Sequence, residues 1–191
     1  MKLSLMMCIA LLAVCCVTML SRPKEAMAAD GTGDKKILVA YFSWSGNTRE
    51  IAGQIRDRTG GDLFEIKTVN AYPTEYRACT DAAKKEQNEN ARPALSTKID
   101  DMDDYGVVFI GYPNWWGTIP MALFTFFEQY DFSGKTVIPF CTHEGSGFGR
   151  SVSDIEKLCP KSTLLEGVAI RGSGVKSAQN TVGAWLEKIE L

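Results

Sequence analysis

The chain has 191 residues, of which 45% are hydrophobic and 23% are charged, and a formal net charge of -2. This is the composition of an ordinary globular domain, which excludes a disordered chain, a collagen-like repeat and a coiled-coil rod. The charge gives no basic field of the kind that attracts nucleic acid, and with a single histidine among 191 residues we predict no metal site.

Residues 1–28 resemble a secretory signal peptide, with a lysine, an almost uninterrupted apolar run and a small-x-small cleavage motif in that order. We therefore expect an exported, periplasmic bacterial protein with no stable membrane span after cleavage. The alternative is an uncleaved anchor, because about 18 apolar residues can nearly span a bilayer. Residues 29–35 are predicted to form a polar linker, and residues 36–191 the functional domain.

Beyond the linker, apolar runs alternate with amphipathic stretches, which predicts strands and helices in turn. The predicted strands are 37–42, 63–66, 107–112, 136–141 and 167–170, and the predicted helices are 47–59, 74–90, 120–130, 150–158 and 175–189. Five such alternations predict an α/β fold, with a parallel sheet between two layers of helices. Pro139 argues against a central position for the fourth strand, since proline donates no ladder hydrogen bond. Asn47 with Glu50 resembles a capping box.

Three cysteines lie beyond the predicted signal peptide, at positions 79, 141 and 159. An odd number allows at most one disulfide within the domain, so disulfides do not define the fold. We expect Cys79, Cys141 and Cys159 to be free and buried.

The first candidate site is loop A, Ser43-Trp44-Ser45-Gly46-Asn47-Thr48, which lies between the first predicted strand and helix. Backbone N–H groups and the positive end of a helix dipole suit a phosphate there. The loop has no lysine, so it is not a nucleotide-triphosphate P-loop. The alternative is an ordinary turn rich in capping residues. Ser43 and Arg49 have the spacing of a tyrosine-phosphatase loop, but a serine without a base is a poor nucleophile, which favours phosphate binding without cleavage.

Two further loops follow predicted strands and complete the candidate site. Loop B (residues 113–117) carries two adjacent tryptophans, of which we expect one to stack on a planar ligand and one to pack in the core. Loop C (residues 142–147) is rich in glycine, which lets the backbone approach a flat ligand closely. Ligands of parallel sheets bind beyond the carboxyl ends of the strands, so the three loops predict one crevice for a ligand with a phosphate and a flat ring.

Together, the segments 39–48, 111–117 and 142–147 resemble the flavodoxin family, in particular bacterial flavodoxin-like proteins with a Trp-Trp-Gly loop. The resemblance covers nearly all of residues 36–191. It implies a flavodoxin-like three-layer sandwich whose five-stranded parallel sheet has the order 2-1-3-4-5, and it implies bound FMN.

The same resemblance implies which residues bind FMN. Around the phosphate it places Ser43, Trp44, Ser45, Gly46, Asn47 and Thr48; beside the isoalloxazine Pro113, Asn114, Trp115, Trp116 and Gly117; at the ring edge Thr142, His143, Glu144, Gly145, Ser146 and Gly147. Many members place a tyrosine after the fourth strand, where this chain has His143 and Glu144, which would leave one face of the ring more open. His143 is interpreted either as a surface residue or as a proton donor near the ring. Tyr72, Pro73 and Tyr76 are candidates for covering a substrate.

The leading functional hypothesis is an FMN-binding redox protein that transfers electrons to a protein partner or to a small acceptor such as a quinone. One alternative is an NAD(P)H-dependent FMN quinone reductase, although the sequence shows no second nucleotide motif. The other alternative is a non-redox module that binds a different phosphate-bearing ligand. The sequence assigns no catalytic residue.

Overall fold

The computed structural model describes residues 36–189, and the predicted signal peptide and linker lie outside the described residues. The strands are β1 (Lys36–Tyr41), β2 (Asp62–Glu65), β3 (Tyr105–Pro113), β4 (Thr136–His143), β5 (Thr163–Leu164) and β6 (Val168–Arg171). The helices are α1 (Asn47–Thr59), α2 (Tyr76–Asn88), α3 (Met121–Gln129), α4 (Ser151–Leu158) and α5 (Gln179–Lys188), with 3-10 segments at Met102–Asp104 and Gly172–Ser177. Within residues 36–189, no helix is long and apolar enough to cross a membrane.

The strands form one parallel sheet in the order β2-β1-β3-β4-β5, with β6 also paired to β4. This confirms the predicted α/β fold and strand order. The fifth position of the sheet is divided between two short strands, of which β6 matches the predicted strand 167–170. The sequence did not predict β5, because a pair of residues carries no periodic signal.

The prediction that Pro139 keeps β4 from the interior of the sheet is wrong. Strand β4 lies between β3 on one side and the β5 and β6 segments on the other. The pair Val137–Leu164 precedes Pro139, and the pair Phe140–Val168 follows it. The proline therefore faces the break between the two short strands, where its missing N–H interrupts no pairing.

Two buried cores cover the two faces of the sheet, because successive residues of a strand point to opposite sides. On β3, Phe109 faces the layer of α1 and α5, while Ile110 faces the layer that contains α3 and α4. Both side chains are fully buried. Burial on both faces explains why the strands read as continuous apolar runs rather than as an alternating pattern.

The three cysteines at positions 79, 141 and 159 are buried and free. Burial raises the pKa of Cys79 to about 11. Burial likewise raises the pKa of Cys141 to about 12. Because the thiolate is the reactive form, these side chains are unreactive components of the core near neutral pH.

Candidate functional site

A crevice of about 740 Å³ lies at the carboxyl ends of the central strands and brings loops A, B and C together. The predicted site residues that line it are Trp44, Ser45, Asn47, Pro113, Asn114, Trp115, Trp116, Thr142, His143, Glu144, Gly145 and Ser146. The others, Ser43, Gly46, Thr48, Gly117 and Gly147, belong to the same loops but lie outside the lining. Helix α2 contributes Tyr76, Arg77, Thr80, Asp81 and Ala83.

Loop A turns sharply from β1 into α1. The Ser43 hydroxyl accepts the backbone N–H groups of Gly46 at 3.2 Å and Arg49 at 3.3 Å. Gly46 precedes the helix at φ +93°, a left-handed conformation that glycine adopts without strain. The predicted capping box of Asn47 and Glu50 is wrong, because Asn47 is already the first helical residue and Ser43 provides the hydroxyl from outside the helix.

The turn leaves donors of loop A unused. Within residues 36–189, the backbone N–H groups of Ser45, Asn47 and Thr48 have no protein acceptor. They lie at the start of a 13-residue helix, whose dipole is positive at this end. Free N–H groups in such a position are suited to an anion, and a phosphate group in particular.

Thr142 connects the three loops beneath the crevice. Its hydroxyl lies 2.9 Å from the hydroxyl of Thr48, and both side chains are buried, which ties loop C to loop A. Its carbonyl oxygen accepts the backbone N–H of Asn114 at 2.8 Å, which ties loop C to loop B. The loops therefore have fixed relative positions set by hydrogen bonds at the ends of the strands.

Asn114 forms a second link between loops B and C. Its side-chain amide donates to the carbonyl oxygen of Gly147 at 2.7 Å and accepts the N–H of Gly117 at 3.0 Å. The backbone N–H of Arg150 also donates to the Gly117 carbonyl at 2.8 Å. One amide side chain thus satisfies a carbonyl in loop C and an N–H in loop B.

The two tryptophans of loop B have different surroundings. Trp115 is half-buried and meets Phe42 and Tyr72 edge to face, with ring centroids 5.3 and 4.9 Å away. Trp116 is 49% exposed, and its indole N–H donates to the carbonyl oxygen of Thr80 at 2.9 Å. Trp115 packs against the core while Trp116 presents its ring at the crevice. That either ring stacks on a ligand stays a prediction.

Helix α2 forms a wall along the crevice from loop A to loop B. Near its start, the ring of Tyr76 lies 6.2 Å from that of Trp44, whose indole N–H donates to the carbonyl of Pro73 at 2.8 Å. Further along the helix, Thr80 and Gln87 form hydrogen bonds to Trp116. Tyr76 is one of the predicted candidates for covering a substrate, whereas the contribution of the rest of this helix face was not predicted.

The shape of loop C depends on a hydrogen bond within the loop and on a close approach to Gly172. The Nδ1 atom of His143 accepts the N–H of Gly145 at 2.9 Å. A Cβ atom at Gly172 would lie 2.1 Å from Glu144 Oε1 and 2.6 Å from Asn47 Nδ2. Glycine at this position therefore lets the side chains of loops A and C come together at one end of the crevice.

Glu86 of helix α2 accepts a hydrogen bond of 2.7 Å from the hydroxyl of Tyr72. Burial raises the pKa of Glu86, although the hydrogen bond from Tyr72 acts in the opposite direction. A carboxyl whose folded pKa is raised contributes stability that is present below its unfolded pKa and is lost as pH rises through the folded pKa.

We therefore expect Glu86→Gln to stabilise the protein relative to wild type progressively as pH rises from 4 to 8. The gain is less than about 1 kcal/mol, because the carboxyl is only partly buried. Urea unfolding at several pH values measures it, with Glu89→Gln at the exposed end of the same helix as the control. A difference between Glu86→Gln and wild type that stays constant with pH would contradict the expectation.

A family model described as Flavodoxin matches residues 36–189. Among curated proteins, the chain is 25% identical over 155 residues to a flavodoxin from Nostoc, an alignment that spans 79% of this chain and 70% of the relative.

Solved structures share the fold. A protein assigned as a flavoprotein from Bacteroides eggerthii superposes with a TM-score of 0.73 at 35% identity, covering 82% of this chain and 98% of its own. A protein similarly assigned from Bacteroides uniformis gives a TM-score of 0.72 at 30% identity, covering 80% and 97%. A flavoprotein from Lactobacillus acidophilus, solved in complex with FMN, gives a TM-score of 0.62 at 26% identity, covering 75% and 97%.

Proposed function

The chain belongs to the flavodoxin family and its cofactor is FMN, and on this premise we propose that the crevice holds FMN and that the protein transfers electrons to a partner protein or a small acceptor. FMN supplies the capacity for one- and two-electron transfer when it is bound, while the protein positions it and adjusts its reduction potential. We also propose, from the signal-like residues 1–28, that the protein is exported.

The observation that carries the proposal is the set of free N–H groups in loop A. The backbone amides of Ser45, Asn47 and Thr48 lack protein acceptors in the described part of the chain, and all three belong to the turn at the start of α1. A phosphate monoester offers several acceptor oxygens to such donors. The donor set therefore fits the phosphate of FMN without any lysine in the loop.

The remainder of the crevice fits a flat ring. Trp115 and Trp116 line one side, and loop C lines another with Gly145 at φ +135°, where the backbone carries no side chain. Aromatic surface stabilises a stacked ring, and a bare backbone can donate to or accept from its polar edge. The volume of about 740 Å³ lies within the range of small-molecule sites.

Titration of the purified apoprotein with FMN tests the proposal. We expect one FMN to bind per chain with loss of flavin fluorescence, and reductive titration of the yellow complex to give a defined potential. Electron transfer to an added one-electron acceptor supports the carrier function, whereas steady NAD(P)H oxidation with an added quinone replaces it with a self-sufficient reductase. A protein that takes up no FMN overturns the proposal and leaves a non-redox binding module.

A further inference from the structure

The phosphate end of the crevice lacks a positive charge of its own. Arg49, the arginine next to loop A, is paired with Glu65, which also pairs with Lys67 at 3.2 Å. Arg49 does not line the crevice. The free N–H groups of loop A are neutral donors, while the phosphate of a flavin mononucleotide carries a charge of about -1.5 to -2 at pH 7.

Among the described residues that line the crevice, Arg77 of α2 is the only lysine or arginine. Its side chain is exposed and forms no ion pair or hydrogen bond within residues 36–189. Asp81 lies four residues further along the same helix, at a spacing that suits an ion pair, but the two side chains do not pair in the structure. The guanidinium is therefore available to a ligand.

The position of Arg77 along α2 places it toward the phosphate end. Its neighbour Tyr76 meets Trp44 of loop A, with ring centroids 6.2 Å apart. The contact with loop B is made one turn further on, through the carbonyl of Thr80. Arg77 thus lies nearer to the contact with loop A than Asp81 does.

We infer that Arg77 provides the positive charge for the FMN phosphate and makes the site selective for phosphorylated flavin. This inference rests on the proposed function. The donors of loop A orient the phosphate oxygens, and the guanidinium on α2 balances their charge. Glu144, whose carboxylate oxygen lies close to Gly172 as does the Asn47 amide, adds negative charge at this end of the crevice, which a nearby cation would offset. The planar guanidinium of an arginine presents several N–H donors that match phosphate oxygens better than the ammonium group of a lysine does.

The test compares FMN with riboflavin, which lacks the phosphate, in titrations of the apoprotein. We expect Arg77→Gln to weaken FMN binding by about 5- to 10-fold and to leave riboflavin binding within about twofold of wild type. Lys85→Gln removes the same charge from an exposed position of α2 outside the crevice, and it should change neither affinity. Increasing salt should weaken FMN binding more in wild type than in Arg77→Gln.

The outcomes separate this inference from the proposed function. If wild type takes up no FMN, the proposed function fails. If wild type binds FMN and Arg77→Gln binds it equally well, only the role of Arg77 is overturned. Equal weakening of FMN and riboflavin would also overturn it, because the arginine would then contact the ring or the ribityl chain. An unchanged melting temperature of the variant excludes loss of fold as the cause.

Discussion

Replacing Gly111 with alanine is expected to destabilise the protein by about 1–3 kcal/mol, because the new methyl group has no room. A Cβ at Gly111 would lie 2.1 Å from the ring of Phe140. Phe140 is fully buried on the paired strand β4, so its ring cannot move aside without disturbing the core. Urea unfolding of the variant should show a lower midpoint, and overpacking at the base of loop B should also weaken FMN binding.

Gly53→Ala is the matched control for this substitution. Gly53 lies inside α1, and a Cβ there would meet nothing within 4 Å. Alanine in a helix interior is favoured over glycine by about 0.5–1 kcal/mol, so this variant should be slightly more stable than wild type. The packing explanation of Gly111 is wrong if Gly111→Ala unfolds at the wild-type midpoint.

The sheet was predictable because its strands are buried on both faces. Runs such as 37–42 and 107–112 are apolar without interruption, and the amphipathic helices between them require a parallel arrangement. The order of the strands is not contained in these runs and came from the family resemblance. The division of the fifth position into β5 and β6 was not predictable, since it depends on pairing across the sheet rather than on local sequence.

The site was predictable where it follows directly from the strands. Loops A, B and C come after β1, β3 and β4, whose carboxyl ends meet at one edge, and the structure brings the three loops together. The cap of α1 was assigned incorrectly because Asn47 is a good capping residue, whereas in the structure left-handed Gly46 precedes the helix and its N–H donates to the Ser43 hydroxyl.

The contribution of α2 was missed for a different reason. Its crevice face, which includes Arg77 and Asp81, is polar and exposed, and such a face is indistinguishable in sequence from an ordinary solvated surface. The contact between Thr80 and Trp116, which positions the helix against loop B, joins residues 36 apart in the chain. A local pattern carries no signal of such a contact.

Asn114→Ala is expected to weaken FMN binding by about 10- to 100-fold while lowering stability by only about 1–2 kcal/mol. The substitution removes the donor to the Gly147 carbonyl at 2.7 Å and the acceptor of the Gly117 N–H at 3.0 Å. Loops B and C then lose their side-chain link, and within residues 36–189 only the bond from the Asn114 backbone N–H to the Thr142 carbonyl still ties them together. The cost of ordering them is transferred to the binding step.

Because this link holds the ring end, Asn114→Ala should weaken FMN and riboflavin to the same extent, unlike Arg77→Gln. Asn180→Ala, the same change at an exposed position of α5 outside the crevice, should leave both affinities at wild-type values. Titration of the apoproteins and the rate of flavin release distinguish these cases. If Asn114→Ala lost affinity for FMN but not for riboflavin, the expectation would be contradicted. The Asn114 amide would then act at the phosphate end of the crevice, and the assignment of Asn114 to the ring end and Arg77 to the phosphate end would be wrong.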